Sequence, residues 1–450
     1  MAYTFKGGIH VDDHKRTAKC KTVTVPTPPI VKISMNQSIG APASPTVNIG
    51  DSVKIGQLIG DVPENALGCP VHASVSGKVI AIEEMRVTDG SMSRAVVIES
   101  DGEDAVHESV IPFTKRITDI SRDEIVEYIR RAGITGMGGA AFPTYAKIKS
   151  AIGRSEHLIV NCAECEPFIT ADHRLLLEET DKVIGGIKIL LRAVGAPHAY
   201  VAIEDNKANA IRALQKRLRG QSLIEVKVMK TKYPQGDERQ LIFALTGREL
   251  ASGKLPSDAG CVIFNAATCA AVYTAFAEGM PLVRRIVTVS GDCVKTPSNL
   301  SVPIGTPASY LIEQCGGLKR SPEKLIAGGP MMGQAQWDPD MPTKKSTSAI
   351  LLLSSRYSDN QSVPAACIRC GRCIRSCPMR LMPSYIAAFA QSGDMEKAEK
   401  FGAMSCVECG SCSYSCPGKV DVVQYIRVAK NAIRTEKARM KAARDASENK

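Results

Sequence analysis

Cys367-Ile-Arg-Cys370-Gly-Arg-Cys373-Ile-Arg-Ser-Cys377-Pro378 and Cys406-Val-Glu-Cys409-Gly-Ser-Cys412-Ser-Tyr-Ser-Cys416-Pro417 decide how the C-terminal part of this chain folds. Both read C-x2-C-x2-C-x3-C-P, the spacing of a bacterial two-cluster ferredoxin module. In that module three thiolates of one short loop take irons of one cubane, and the fourth, followed by proline, serves the other cubane. Cys367, Cys370, Cys373 and Cys416 are therefore assigned to one [4Fe–4S] cluster, and Cys406, Cys409, Cys412 and Cys377 to the second. Zinc, which uses paired C-x2-C or Cys/His sets, has no need of the third cysteine or the proline. Disulfides suit small secreted domains. The remaining eight of the 16 cysteines are scattered and read mostly as buried small hydrophobes. Two adjacent cubanes form a short electron wire, so the pattern points to electron transfer.

The rest of the chain frames that module. At 450 residues it has room for about three domains of ~150 residues each. A hydrophobic share of 44% and a charged share of 23% are those of a globular protein, and only 5% is aromatic, so cores must be mainly aliphatic. No stretch approaches ~18 consecutive apolar residues, and the N-terminus lacks an apolar signal segment, so neither a membrane span nor a signal peptide is expected. The net charge of +11 is concentrated late, with Arg427, Lys430, Arg434, Lys437, Arg439, Lys441 and Arg444 against Glu436 alone. This Ala-rich stretch reads as an exposed helix, either a solvated tail or a docking element. No aromatic residue interleaves with its basic ones, so base stacking is unsupported and no nucleic-acid partner is expected.

Residues 1 to about 115 alternate short apolar runs with glycines, as in Val47–Gly60 and Pro70–Ile82, which predicts strands and tight turns. They resemble the barrel-sandwich hybrid of lipoyl and biotinyl carriers, without the motif around the carriers' modified lysine. From about 116 to 285 the texture is α/β. Arg122–Ala132 predicts an amphipathic helix with Ser121 and Glu124 as a capping box and Ile120 and Ile125 as a hydrophobic staple. Leu158–Val160 and Ala199–Ile203 suit buried parallel strands. Residues 286 to about 345 return to short strands, and Lys344–Gln361, polar and Ser-rich at both ends, reads as a linker.

A second chemical signature is Gly136-Met-Gly138-Gly139-Ala140-Ala141-Phe142-Pro143. Glycines let backbone approach a phosphate or a flat ring. The stretch matches neither the P-loop nor the dinucleotide fingerprint. Its company matters more: Asn161-Cys-Ala-Glu164-Cys165-Glu166-Pro167, then Asp172-His-Arg174, then Tyr233-Pro-Gln-Gly236-Asp237-Glu238, then Phe264-Asn265. Acidic and amide groups beside a glycine loop suit ribityl and ribose hydroxyls and a nicotinamide.

In this order the motifs resemble the flavin- and NADH-binding subunit of respiratory complex I. That resemblance implies that Gly136, Gly138 and Gly139 approach FMN phosphate and that Phe142 and Lys147 face the nicotinamide nucleotide. It puts Asn161, Glu164, Cys165 and Asn265 on the flavin, Glu166 near the dinucleotide, and Gly236, Asp237 and Glu238 around the same cavity. Ala141 stands where that family has a third glycine, Asp237 where it has glutamate, and Ala266 where it has a second asparagine.

With the element Phe5-Lys-Gly7-Gly8-Ile-His10 and the paired cysteine runs added, nearly the whole chain resembles the C subunits of Rnf complexes. Cys162, which makes a C-x2-C with Cys165, departs from that family's glycine and reads as packing. The resemblance implies a multidomain α/β plus β fold: a barrel-sandwich hybrid domain over 1–115 and a Rossmann-like FMN/NADH domain over 116–285. A β-grasp, SLBB-like insert over 286–345, a helical two-cluster ferredoxin domain over 361–430 and a basic helical tail over 431–450 complete it. It implies non-covalent FMN, two [4Fe–4S] clusters and NAD(H) as substrate, with no residue of the chain in a catalytic role of its own. The expected place is peripheral, on the cytoplasmic side of the cell membrane. The expected partners are membrane subunits, a ferredoxin-like iron–sulfur subunit and, indirectly, ferredoxin. A soluble flavin/iron–sulfur cobalamin (corrinoid) reductase is the alternative with the same loops.

Overall fold

The apolar runs around Leu158 and Ala199 become adjacent parallel strands at the centre of the chain. The computed structural model describes residues 2–357 and 366–448. His157–Cys162, His198–Glu204, Ile224–Met229 and Cys261–Asn265 form a four-stranded sheet, parallel throughout. From His157–Cys162 the chain steps outward through the second and third strands, then returns to put Cys261–Asn265 on the other side. The order reverses between His157–Cys162 and the edge strand Cys261–Asn265, the place where open α/β sheets bind ligands at their carboxyl ends. Helices Arg122–Arg131, Thr180–Val194 and Ala266–Glu278 bury their aliphatic faces in the same core as the strands. The first helix starts in a true capping box: Glu124 N donates to Ser121 Oγ at 3.2 Å, and Ser121 N donates to Glu124 Oε2 at 2.9 Å. Ile120 and Ile125 are both buried in that core.

N-terminal to this sheet, two small antiparallel sheets face each other across a Val/Ile core that includes Ile33, Ile59, Val79 and Ile98. One contains Ile30–Ser34, Met92–Ser100, Gly77–Arg86 and Ser52–Val53; the other contains Ser44–Pro45, Leu58–Asp61 and Val71–His72. The residues before this barrel belong elsewhere. Thr22–Thr24 is an edge strand of a six-stranded sheet with Ser298–Pro303, Arg284–Ser290, Ala349–Leu353, Lys324–Ala327 and Gln334–Gln336.

That sheet corrects the linker reading of Lys344–Gln361. Ala349–Leu353 is a fully buried strand between Arg284–Ser290 and Lys324–Ala327. Just before it, Lys345 is buried, and its ammonium donates to the carbonyls of Pro70 at 2.9 Å and Gly133 at 2.7 Å. The polar residues on either side of a five-residue apolar run thus belong to a domain junction. The last part of the linker reading falls at 358–361, outside the described residues.

The cysteine runs sit among helices Arg372–Ser376, Pro383–Gln391, Met395–Lys400, Ser411–Tyr414 and Val422–Glu448. The long final helix shows no break at residue 431. Val422, Ile426, Ala429 and Ile433 pack it onto the cluster domain, and residues 434–445 leave that core and are exposed. Among the described residues, no helix is long and apolar enough to cross a membrane.

Candidate functional site

The acidic and amide residues singled out in the sequence converge at the carboxyl ends of the adjacent parallel strands His157–Cys162 and Cys261–Asn265. Asn161 and Asn265 are register partners there. Asn265 caps the helix Ala266–Glu278 by accepting from Ala267 N at 2.9 Å, and its Nδ2 donates to Asp172 at 2.6 Å. Asn161 donates to the Gly236 carbonyl at 2.8 Å, and Gly236 N donates to Cys165 Sγ at 3.4 Å. Three loops distant in sequence therefore share one wall.

The glycine loop forms the opposite side. It closes through Gly136 N donating to Phe142 O at 2.8 Å, and it is anchored by Met137 N donating to Thr268 Oγ1 at 2.9 Å. A Cβ on Gly138 would rest 3.4 Å from Asn265 Cβ, so the loop lies beside the start of the helix that Asn265 caps. At Gly139 (φ +110°) nothing lies within 4 Å of an added Cβ, which leaves backbone facing open space. Ala141 adopts φ +51°, the left-handed region that a glycine enters without cost.

Lys147 donates to Glu238 at 2.6 Å and to the Ile263 carbonyl at 3.1 Å. Asp237 caps the helix Glu238–Thr246, accepting from Arg239 N at 3.1 Å and Gln240 N at 3.2 Å. Phe142, half-buried, follows the loop. Glu164, at φ +47°, accepts from Asp172 N at 2.7 Å and His173 N at 3.2 Å. Burial pushes its carboxyl up to about 7. Glu166 reaches out of the flavin-side loop. Its two oxygens accept from Met331 N at 3.0 Å and Met332 N at 2.9 Å, tying this loop to the six-stranded-sheet domain. Cys162 is fully buried beside Cys269 and Asp172, as a packing residue would be.

Sequence reasoning missed the supports beneath these loops. Lys15 donates to the carbonyls of Glu164 at 2.8 Å, Glu166 at 3.0 Å and Ile169 at 2.6 Å. Lys207, buried, donates to the Ala163 carbonyl at 2.6 Å and pairs with buried Glu204 at 3.1 Å. A lysine three residues after a glutamate at the end of an apolar strand was the available signal for Lys207; Lys15 carried none. Gln235 is fully buried in the same loop as Gly236, and neither of its amide atoms has a protein partner. A buried amide with both polar atoms unmet fits a site completed by a polar ligand, and the open glycine backbone fits an anionic one.

The cysteines form the adjoining bed. In Cys406, Cys409 and Cys412 burial raises the thiol, to about 11 in Cys406 and about 12 in Cys412, and the charge of Cys377 adds to this in all three. Cys377 is thus within electrostatic reach of the second run as well as of Cys373 in its own. The two runs repeat in backbone as well as sequence: Arg369 and Glu408, Gly371 and Gly410, and Arg380 and Lys419 occupy matching positions at positive φ. Among the described residues no three His, Cys, Asp or Glu converge on one ion-sized point. Thiols that embrace a cubane are set apart by its width, so eight of them in two runs of matching backbone fit two cubanes better than a single ion.

Tyr233 joins the two halves. Its hydroxyl donates to the Cys409 carbonyl at 2.7 Å, and its ring packs with Ile9, Cys165 and Cys409. The Phe5–His10 element wraps this joint. Ile9 and Tyr233 exchange backbone hydrogen bonds of 2.8 and 2.9 Å, and Gly8 N donates to Ser376 O at 2.9 Å. Gly7, at φ +77°, passes so close that a Cβ would lie 2.5 Å from Cys377 O.

Comparison with known proteins agrees with this arrangement. Residues 3–103 match the RnfC barrel sandwich hybrid domain, 129–274 the Nuo51 FMN-binding domain, 286–335 the SLBB domain and 360–436 a 4Fe-4S dicluster domain. The C subunit of the Na(+)-translocating ferredoxin:NAD(+) oxidoreductase complex of Acetobacterium woodii is 45% identical over 96% of this chain and 97% of its own. The proton-translocating counterpart of Clostridium ljungdahlii is 44% identical over 98% and 96%. The C subunit of the ion-translocating oxidoreductase complex of Rhodobacter capsulatus is 39% identical over 98% and 85%. With its domains matched in turn and its length covered by these relatives, the chain belongs to the RnfC family, the C subunits of Rnf-type ion-translocating ferredoxin:NAD(+) oxidoreductase complexes.

Proposed function

We propose that the chain is the NAD(H)-reacting subunit of an ion-translocating ferredoxin:NAD+ oxidoreductase, binding non-covalent FMN and two [4Fe–4S] clusters and lying peripherally on the cytoplasmic face of the membrane. The observation that carries this is the unbroken contact from the Cys165–Gly236 wall through Tyr233 to Cys409. A corrinoid reductase would use similar loops, but the relatives favour the Rnf reading.

FMN, when bound, exchanges two electrons with nicotinamide as a hydride and single electrons with iron–sulfur clusters. The chain's part is to bind, orient and keep dry. Gly136, Gly138 and Gly139 let the loop approach the phosphate, with Gly136 N closing the loop on Phe142 O and Gly138 and Gly139 offering backbone N–H groups beside the start of the Ala266–Glu278 helix. Asn161, Glu164, Cys165 and Asn265 line the ring and ribityl side, with Gly236 allowing close approach. Phe142, Lys147, Asp237 and Glu238 form the nucleotide side. There Lys147 would exchange its Glu238 partner for a diphosphate. Glu166 serves the nucleotide indirectly, by fixing the 331–332 loop. Lys15 and Lys207 hold the flavin-side loop by its carbonyls, so the loop is rigid before any ligand arrives.

Anaerobic purification should give a chain with about eight iron and eight sulfide, two four-iron cubanes, and FMN released by acid. NADH should bleach both the flavin and the cluster absorbance. Half that iron, or a flavin that NADH leaves untouched, would overturn the reading. Glu166→Gln should leave flavin content intact and shift NADH dependence less than Lys147→Ala.

A further inference from the structure

The two cysteine runs share backbone geometry but not surroundings. In the second run Cys409 and Cys412 are buried, and Glu408 turns inward to Arg427 at 3.2 Å and to Lys430 of the final helix. In the first run the position matching Glu408 is Arg369. Residues 366–370 are all exposed, with the thiols of Cys367 and Cys370 among them. Arg369, Arg372 and Arg375 stand exposed around these thiols, and none has an acidic partner among the described residues. From Ala366 to Gly393 the sequence holds no Asp or Glu. Ile368, between Cys367 and Arg369, is 69% exposed, and Tyr414, two residues before Cys416 on a helix packed against Arg372–Ser376, is 58% exposed. An apolar centre with arginine and tyrosine is the composition of a protein interface, and a one-sign rim selects the charge of its partner.

We propose that this face is the chain's electron port and that it docks a one-electron carrier domain with an acidic surface. This rests on the cluster assignment above. The exchange moves one electron from the reduced carrier to the cluster assigned to Cys367, Cys370, Cys373 and Cys416; the carrier is oxidised, the cluster is reduced, and no bond forms or breaks. The other cluster's cysteines face the flavin domain through Cys409 and Tyr233, so the electrons have one walled end and one open end. A basic rim supplies orientation and a fast, salt-sensitive encounter.

The test is binding of the loaded chain to an oxidised, net-negative ferredoxin, measured by calorimetry across salt concentrations, with no turnover required. Affinity should fall steeply with salt, and the double variant Arg369→Glu/Arg372→Glu should weaken it about tenfold while the cluster spectrum stays that of the parent. In parallel, reduction of the clusters by pre-reduced ferredoxin should slow in the variant, whereas reduction by the cationic methyl viologen radical should not. If the double variant loses its clusters, Arg375→Gln and the parent's own salt slope carry the same comparison. Salt-independent binding, or an affinity the variants leave unchanged, overturns the proposal. So does the result that the variants lose binding to phosphatidylserine vesicles but keep ferredoxin, which would make the face a lipid contact. A flavin that NADH fails to bleach, with ferredoxin binding as stated, would count against the flavin reading and leave the port standing.

Discussion

The first cysteine run is open and the second enclosed, although their sequences nearly coincide. The difference comes from what each loop is packed against. The second run is covered by Tyr233, by the 331–332 loop that Glu166 holds and by the final helix. The first run meets solvent at Cys367 and Cys370. One motif thus yields two electrostatic settings, a desolvated site beside the flavin loops and a solvated, basic one away from them. The lesson is that ligand spacing dictates what a loop can hold, while the covering domain dictates with whom it exchanges electrons.

Deleting the crossed ligands tests the comparison most severely. Cys377→Ser should remove the cluster of the enclosed run and cut the route from flavin to the open run. Cys416→Ser should remove the open cluster and leave flavin-to-cluster transfer intact. Iron should fall by about half in each variant, and NADH should reduce the surviving cluster in the second variant alone. If each variant instead loses the cluster of its own run, the crossing is wrong.

Next in size is Gly7. Gly90 shares its positive φ (+85° against +77°) but has nothing within 4 Å of an added Cβ. Gly90→Ala should cost about 1 kcal/mol for backbone alone. Gly7→Ala should cost about 1–3 kcal/mol more, because the methyl group meets Cys377 O. Urea titration followed at the cluster absorbance would reveal the difference, and equal costs would show that the arm does not press on Cys377. Tyr233→Phe removes a single buried hydrogen bond, an effect of about 1 kcal/mol. It should slow flavin-to-cluster transfer in flash experiments without altering NADH bleaching of the flavin; unchanged transfer would reduce Tyr233 to packing.

The smallest expected effect is in pH. Burial alone would raise the Glu408 carboxyl, but Lys430 and Arg427 outweigh it and hold it below its ordinary value. A depressed carboxylate stabilises the fold above its unfolded value of 4.5 and loses that contribution as pH falls through the folded value. Amide protection factors in the final helix, referred to the intrinsic exchange rate at each pH, should therefore fall on acidification below that range, and Glu408→Gln should abolish the dependence. The first run, with arginine at the matching position, should show none.

Local chemistry made much of this legible in the sequence. The Ser121–Glu124 box, the strands at Leu158 and Ala199 and the repeated loop of the two cysteine runs each carry their cause within a few residues. What stayed hidden depends on distant partners. Ala349–Leu353 is a five-residue apolar run whose polar flanks look like a linker until Lys345 is seen holding carbonyls at Pro70 and Gly133. Glu166 sits in a flavin-type loop, and nothing near it in the sequence announces that its carboxylate accepts from Met331 and Met332. The Phe5–His10 element stood out only as a pattern, since its partners Tyr233 and Cys377 lie more than two hundred residues away.

That same arm carries a consequence for how the protein is made. Residues 5–9 leave the ribosome long before Ser376 and Cys377, yet they close over them. Domains fold as they emerge, N-terminal units first, so the barrel and the parallel sheet can be complete while the arm still hangs loose. It gains its seat only when the cysteine loops have formed, and those loops take their shape from the metal they receive. Cluster delivery is then the latch of biogenesis. A chain starved of iron should expose its own first residues to proteases, marking the unloaded protein for removal before it can join a complex.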